Sequence, residues 1–337
     1  MSEHSNPTDS ASEPVLAGDV GGTKVNLGLF SRVNGRPVPI RKGTFSSREY
    51  DGLEGILEQF LKTTDVSCRK CCIGVAGPVV NGRCFTTNMP WVVSEQEIRS
   101  RFGFDSVELV NDLVATAEAV PILEKKDLHD LNAGLEHKKQ NIGLIAAGTG
   151  LGEAFLLWSG DRHVAQASEG GHADFAPTNP LQVELWHELR KKFTHVSIER
   201  VLSGPGLYNV YKFFRDTGKA TERKSVLMRL QEQDPAQVIS ELAMGKECAL
   251  CEMALDLFAS VYGSEAGNLA LRCFTLGGIY LGGGIAPKIL KKLKEPAFMK
   301  AFVAKGRLSS LLSQIPVKVI LNDEAALLGA ARRGLSL

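Results

Sequence analysis

The chain has 337 residues, more than a single hydrophobic core usually supports, so we expect two domains. With 44% hydrophobic residues, 23% charged residues and a formal net charge of +1, it has an ordinary globular composition and no positive field that would gather nucleic acid. We therefore expect no nucleic-acid partner. No apolar run approaches the length of a membrane span, and the first residues lack signal-peptide features, so the expected location is cytoplasmic with no membrane contact.

From residue 14 the chain predicts a glycine-tipped hairpin, after residues 1–13, which are polar and Ser-rich and are expected to be a disordered tail. VLAGDV is a buried-strand pattern, GGT a tight turn, and KVNLGLF a returning strand. Far downstream, NIGLIAA, GTGLG and EAFLLW repeat this order. The repetition predicts a duplicated architecture.

Strand and helix patterns alternate along the rest of the chain, which predicts the α/β class. CCIGVAGPV and VELVND predict strands, and the second leads into the helical pattern LVATAEAVPILEKK. A helix is expected near VELWHELRKKF, followed by one long helical pattern from Asp234 to about Leu276. IYLGGGIAP predicts a third glycine turn after a strand.

The chain closes with a predicted strand, VKVIL, and a predicted helix, DEAALLGAARR, both expected to return to the first domain. The predicted domains are a smaller α/β domain over 14–122 plus about 318–337, and a larger α/β domain over 123–317.

Seven cysteines, an odd number, fit a reducing compartment better than a disulfide framework. Cys248 and Cys251 have a spacing that suggests zinc, but they fall in the helical pattern ECALCEMALDLF, which favours two packed thiols on one helix face. No second pair with ligand spacing stands nearby, so structural zinc is the less favoured alternative.

The three glycine turns are candidate phosphate sites, because glycine permits positive φ and removes the Cβ atoms that would keep a phosphate from backbone N–H groups. Glycine tips are also common in hairpins that bind nothing. None of the turns completes a Walker A or Rossmann signature. Two such hairpins facing each other could clamp a polyphosphate, and Asp19 beside the first turn indicates magnesium, because a carboxylate repels phosphate unless a cation lies between them.

Polar residues follow several predicted elements. Asn111 and Asp112 stand where a strand ends, the usual ligand position in α/β sheets, but the same residue types cap helices. Asn322 and Asp323 form a second such pair before a helix, and spacing alone does not choose between the two pairs.

Three further polar residues, Glu169, His172 and Glu199, could accept hydrogen bonds from the hydroxyl groups of a polyol. The alternative is a satisfied polar loop for Glu169 and His172, and a solvated helix position for Glu199.

Seven motifs occur in order along the chain: GDVGGTK, TNMPW, ELVND, AAGTGLG, EGGHADFAP, ERVLSGPGL and LGGGIAP. With them, the sequence from about Val15 to Arg333 resembles the bacterial glucokinase family, of the sugar kinase, heat-shock ATPase and actin superfamily. The resemblance implies a two-domain actin-like ATPase (ribonuclease H-like) duplicated fold with an interdomain cleft. It also implies transfer of the ATP γ-phosphoryl group to the 6-hydroxyl of D-glucose, giving glucose 6-phosphate and ADP, with magnesium, in a cytoplasmic homodimer.

The same resemblance implies a role for each candidate residue. Asp112 would be the general base, which favours this pair over Asn322 and Asp323, and Asp19 would act indirectly through Mg²⁺. The implied sugar-binding residues are Asn88, Asn111, Asp112, Glu169, His172 and Glu199. The implied nucleotide-binding residues are Gly18, Asp19, Val20, Gly21, Gly22, Thr23, Gly148, Thr149, Gly150, Gly152, Gly283 and Gly284, the last two near the adenosine.

Three alternatives stay open at the level of sequence. Met89 and Pro90 make the centre of TNMPW more apolar than the family's TNHTW form, so another hexose, such as mannose or N-acetylglucosamine, is a possible acceptor. A sugar sensor without catalysis would not need Asp112 as a base. An actin-like or chaperone ATPase would not need Glu169, His172 and Glu199.

Overall fold

A computed structural model describes residues 13–86 and 89–337. Apart from residue 13, the expected tail lies outside the described residues, and so does the candidate sugar contact Asn88. The chain divides into two compact units: the first unit runs up to Leu123 and includes Glu324–Leu337, and the second unit is Glu124–Asp323. None of the helices in the described ranges is long and apolar enough to cross a membrane.

The first unit contains eight strands and four helices among its described residues. Its strands are β1 (Val15–Val20), β2 (Lys24–Val33), β3 (Arg36–Ser46), β4 (Lys70–Val75), β5 (Val79–Val80), β6 (Arg83–Phe85), β7 (Val92–Ser94) and β8 (Ser106–Asn111). Its helices are α1 (Leu53–Leu61), α2 (Glu95–Phe102), α3 (Asp112–Ala119) and the closing helix (Ala325–Gly334). The main sheet has the order β3-β2-β1-β4-β8, and β5, β6 and β7 form a small separate sheet.

The second unit is built around a six-stranded sheet of order β12-β11-β10-β13-β14-β9. Its strands are β9 (Leu128–Asn132), β10 (Ile142–Ala147), β11 (Leu151–Ser159), β12 (Arg162–Ser168), β13 (Gly278–Gly282) and β14 (Val317–Ile320). Its helices are α4 (Pro180–Arg190), α5 (Gly204–Asp216), α6 (Lys224–Glu232), α7 (Pro235–Met244), α8 (Ala249–Cys273), α9 (Leu290–Leu293), α10 (Pro296–Val303) and α11 (Ser309–Ser313).

The two sheets repeat one topology. In the first, β1 pairs antiparallel with β2, and β2 with β3, while β4 and β8 continue in parallel on the other side of β1. In the second, β10, β11 and β12 form the same antiparallel run, and β13 and β14 continue in parallel beyond β10. Both predicted glycine hairpins are present, and the predicted duplication is confirmed at the level of strand order and direction.

Two predicted helices differ from those observed. The pattern from Asp234 to about Leu276 forms α7 and α8 and not one helix, because the chain turns between them with Lys246 at φ +57°, a left-handed conformation. The helix after β8 ends at Ala119, and Pro121, which lacks an N–H, follows in a short 3₁₀ turn. Neither break interrupts the apolar periodicity of the sequence.

The last two elements belong to different units, in contrast to the expectation that both return to the first. Strand β14 lies between β13 and β9 in the second sheet. The closing helix instead packs on α3 and on the first sheet, where a Cβ on Gly329 would overlap the carbonyl oxygen of Ala115. The Arg333 guanidinium binds both carboxylate oxygens of Glu108 on β8, at 2.6 and 2.9 Å. Helix α3, which starts with Asp112, is therefore packed against the closing helix.

Candidate active site

The first half-site, our name for Asp19, the turn Gly21–Thr23, Asn111 and Asp112, lies at the ends of β1 and β8 in the first unit. The turn is closed by the N–H of Gly21, which donates to the carbonyl of Lys24 at 2.9 Å. Ser47 fixes its other side, since its hydroxyl donates to the Gly22 carbonyl at 3.0 Å.

Two candidate phosphate contacts of the GDVGGTK motif are strand residues and not turn residues. Gly18 is buried within β1, where a Cβ would come within 3.1 Å of Ile73 and Leu27 side chains, and Val20 is fully buried. The backbone N–H groups that could approach a ligand are therefore those of Gly22 and Thr23, since the Gly21 N–H donates to Lys24.

Asp19 is a perturbed carboxyl group near the end of β1. Burial, opposed by a hydrogen bond from Asn26 and reinforced by the charge of Asp112, raises the pKa of Asp19 to about 6. The Asn26 amide donates to Asp19 at 3.4 Å and accepts from the Thr44 hydroxyl at 2.9 Å. A nearby cation would favour the charged form of such a group.

Asp112 is the first residue of α3 and lies close to Asp19, because the strand between them carries Gly74. Gly74 pairs with Asp19 in the sheet, and its missing side chain leaves room for the Asp112 backbone, which is 3.7 Å from the position a Cβ would take. Burial raises the pKa of Asp112, although its Oδ1 accepts a hydrogen bond from the Leu113 N–H at 2.9 Å.

Asn111 performs the capping role that was one of the two sequence interpretations. Its Oδ1 accepts from the Leu113 N–H at 2.9 Å, and its amide donates to the Gly77 carbonyl at 3.2 Å. Asn322 differs, because its amide donates to Asp127 and the closing helix begins after Glu324, whose own side chain makes no capping hydrogen bond. The two Asn-Asp pairs that the sequence leaves equivalent thus have different structures.

The second half-site, our name for the turns Gly148–Gly150 and Gly283–Gly284 with Glu169, His172 and Glu199, lies in the second unit. The N–H of Gly204, the first residue of α5, donates to the Gly148 carbonyl at 2.8 Å. Gly283 has φ +78° and sits against the Ala147 carbonyl, so the two glycine turns are neighbours. Gly152 lies within β11, beyond the turn.

The three polyol candidates of the second unit come together. One ring nitrogen of His172 lies 3.8 Å from a carboxylate oxygen of Glu169, and the other lies 3.9 Å from Glu199. Glu199 is fixed from the other side, because its Oε2 accepts the Leu151 N–H at 2.8 Å. Glu169 and His172 are largely exposed, at 79% and 65% of their side chains, so their polar atoms are open to a ligand.

Two polar residues near the half-sites are not among the candidates predicted from the sequence. Asn26, the partner of Asp19, lies inside a strand that the pattern describes only as apolar alternation. Glu153 is 2% exposed in β11, directly after Gly152, and is the single charge in the predicted strand EAFLLW. A lone charge within an apolar strand is the signal that marks such a buried group.

No group of three or more His, Cys, Asp or Glu side chains in the described ranges forms a metal cage. Magnesium is usually held by one or two carboxylates together with substrate phosphates, and a single partly buried carboxyl such as Asp19 fits that requirement.

Comparisons with known proteins agree with one another. The glucokinase family model matches residues 16–335 of this chain. A relative named glucokinase from Nostoc punctiforme is 39% identical, over 94% of this chain and 97% of its own length. One from Shigella dysenteriae is 37% identical, over 94% of this chain and 95% of its own length.

Solved structures are similar over almost the whole chain. A glucokinase from an Antarctic psychrotroph has a TM-score of 0.86 at 34% identity, covering 96% of this chain and 99% of that chain. A ROK family glucokinase from Streptomyces griseus, solved in complex with glucose and AMPPNP, has a TM-score of 0.64 at 20% identity, covering 96% and 100%. At that identity the likeness shows the fold alone, and it agrees with the predicted actin-like ATPase class.

Proposed function

Because the chain belongs to the glucokinase family of ATP-dependent hexose kinases, we propose that it transfers the ATP γ-phosphoryl group to the 6-hydroxyl of D-glucose, with Asp112 as the general base. The observation that carries this proposal is the partly buried carboxyl of Asp112 at the start of α3, with its raised pKa. A carboxylate with a raised pKa holds a proton more firmly, which favours removal of the hydroxyl proton as the phosphorus–oxygen bond forms.

The turn Gly21–Thr23 and the turn Gly148–Gly150 would bind the phosphates through backbone N–H groups, and Gly283 and Gly284 would contact the adenosine. Asp19 would hold Mg²⁺, which supplies charge neutralisation to the phosphates when bound. The Streptomyces griseus neighbour was solved with glucose and a nucleotide analogue, which supports both substrates.

Glu169, His172 and Glu199 would fix the sugar through its hydroxyl groups, with Asn111 and Asn88 as further contacts. Glu199 is already oriented by the Leu151 N–H, which reduces the cost of ordering it on binding. Phosphoryl transfer needs alignment and charge stabilisation more than covalent chemistry, so a set of oriented hydroxyl acceptors suits the reaction.

The decisive experiment is a coupled assay of sugar phosphate formation with ATP, Mg²⁺ and a panel of hexoses, comparing the wild type with Asp112→Asn. We expect glucose to turn over and Asp112→Asn to lose at least about a hundredfold in kcat. Asp323→Asn is the matched control, since Asp323 belongs to the other Asn-Asp pair and is exposed. Equal losses in both variants, or an unaffected Asp112→Asn enzyme, would contradict the assignment of the base.

The family resemblance also supports a cytoplasmic homodimer. Sedimentation velocity of the full chain is expected to give one species of twice the monomer mass, and a monomer at all concentrations would contradict it.

A further inference from the structure

The turn that carries Glu169 and His172 rests directly on strand β11. A Cβ on Gly171 would overlap the carbonyl oxygen of Leu151, and a Cβ on Gly170 would overlap Oε2 of Glu153. Gly170, in the middle of this turn, therefore packs directly against the Glu153 carboxyl. At the start of the same strand, the Leu151 N–H donates to Glu199. Strand β11 therefore contacts both Glu199 and the turn that carries Glu169 and His172.

The carboxyl of Glu153 is incompletely satisfied where it stands. No hydrogen-bond donor reaches its Oε1 from the part of the chain that the structure describes, although an Arg272 nitrogen lies 3.9 Å away. Arg272 is instead engaged by Glu265, whose Oε2 also accepts from the Asn268 amide at 2.9 Å. The same Arg272 nitrogen pairs with Glu265 and faces Glu153, so the two buried carboxyl groups are neighbours. A protonated Glu153 can donate to Glu265, which satisfies the orphaned oxygen and removes a repulsion between two buried charges.

We propose that Glu153 is a positioning residue for sugar binding: its neutral carboxyl, hydrogen-bonded to Glu265, supports the Gly170–Gly171 turn and so places Glu169 and His172. The inference rests on the proposed function, because it assumes that these two side chains contact the sugar. The turn has a second anchor, since the Gly170 N–H donates to the Ser168 hydroxyl at 3.0 Å, and Ser168 pairs with Glu153 between β12 and β11.

Ionisation of Glu153 would disturb this arrangement. Burial, and after it the charge of Glu265, hold the pKa of Glu153 well above its usual range, while Arg272 opposes the rise. The charged and titratable groups that interact with Glu153 lie on α8. They are Glu265, Arg272 and Cys273. Loss of the Glu153 proton would place a second negative charge beside Glu265 and against Gly170.

The test compares Glu153→Gln and Glu153→Leu with the wild type, measuring KM for glucose, KM for ATP and kcat. The neutral, isosteric Gln is expected to keep KM for glucose within about twofold of the wild type. Leu removes the hydrogen bond to Glu265 and is expected to raise KM for glucose about tenfold or more, since small displacements of positioning groups have large effects. KM for ATP should change much less in both variants. An unchanged KM for glucose in Glu153→Leu would overturn the proposal.

A second readout separates positioning by a neutral acid from mere packing. In the wild type, KM for glucose should rise between about pH 6 and about pH 9, a range in which an unperturbed glutamate stays ionised throughout. Glu153→Gln should remove that part of the rise. Because Gln preserves shape, this comparison remains decisive even where Glu153→Leu fails to fold, and identical pH profiles in both enzymes would refute the inference.

Glu169→Ala distinguishes this inference from the proposed function. If Glu169→Ala leaves KM for glucose unchanged, the proposed sugar contact itself is wrong, and the positioning role falls with it. If Glu169→Ala raises KM while the Glu153 variants behave like the wild type, only the positioning role is wrong.

Discussion

Asp19 and Asp112 are neighbouring carboxyl groups held by different partners, and the difference fits different roles. Asp19 takes a hydrogen bond from the Asn26 side chain, and its pKa is raised to about 6, chiefly by burial. Asp112 takes a backbone hydrogen bond at a helix start, which orients one oxygen firmly. A group that binds a cation gains from adjacent negative charge, whereas a base needs a fixed direction toward the hydroxyl it deprotonates.

The pH dependence of kcat/KM for glucose should show the raised pKa of Asp112. A general base works only when ionised, so activity falls as the pH drops through its pKa. Since burial raises that pKa above the 3.8 of an ordinary aspartate, the acid limb should lie above pH 3.8. The measurement uses saturating ATP and Mg²⁺, so that Asp19 is already engaged. The residual activity of Asp112→Asn should lack this limb, and a limb that persists there would assign it to another group.

At the level of elements, α3 depends on the close approach of the closing helix. Gly329→Ala would place a methyl group onto the Ala115 carbonyl of α3, and the two helices would have to separate. We expect a loss of about 1–3 kcal/mol in the free energy of unfolding, as for other overpacked sites, with a fall in kcat because Asp112 begins α3. Urea unfolding of the full chain measures the loss.

Gly55→Ala is the control for that experiment, because Gly55 is an exposed residue inside helix α1. Alanine is favoured over glycine within helices, so this change should leave stability unchanged or raise it by up to about 1 kcal/mol. Equal stability of Gly329→Ala and the wild type would show that the helices have room to separate without cost.

The sequence predicts an element well where the hydrophobic periodicity and the flanking turn residues indicate the same structure. Both glycine hairpins are of this kind, since apolar strands flank glycine turns. The break between α7 and α8 is not predicted, because Lys246 adopts a left-handed conformation without a sequence signal. The proposed role of Glu153 is not predictable from the sequence, because it depends on Gly170, Glu265 and Arg272. These residues come close to Glu153 only in the folded chain. The roles of the candidate site residues stay predictions until variants are assayed.

For the whole molecule, each proposed substrate draws on residues of both units. The first unit supplies Asp112 and the turn Gly21–Thr23, and the second supplies Glu199 and the turn Gly148–Gly150. Water competes with the sugar as acceptor of the phosphoryl group, so we expect transfer to proceed only when the sugar is bound. We expect ADP release without glucose to be at least about a hundredfold slower than with glucose. Comparable rates in the two conditions would exclude such a requirement.

The closing helix gives the chain an unusual order of completion during synthesis. The first unit begins with β1, but the helix that covers β1 and β4, with Gly334 against Val15 and Cys72, is made only after the second unit. The ribosome releases the whole second unit before it, at rates of about 5–20 residues per second. The nascent first unit must therefore wait with an uncovered apolar face, and loss of Ala325–Gly334 alone would leave β1 and β4 uncovered.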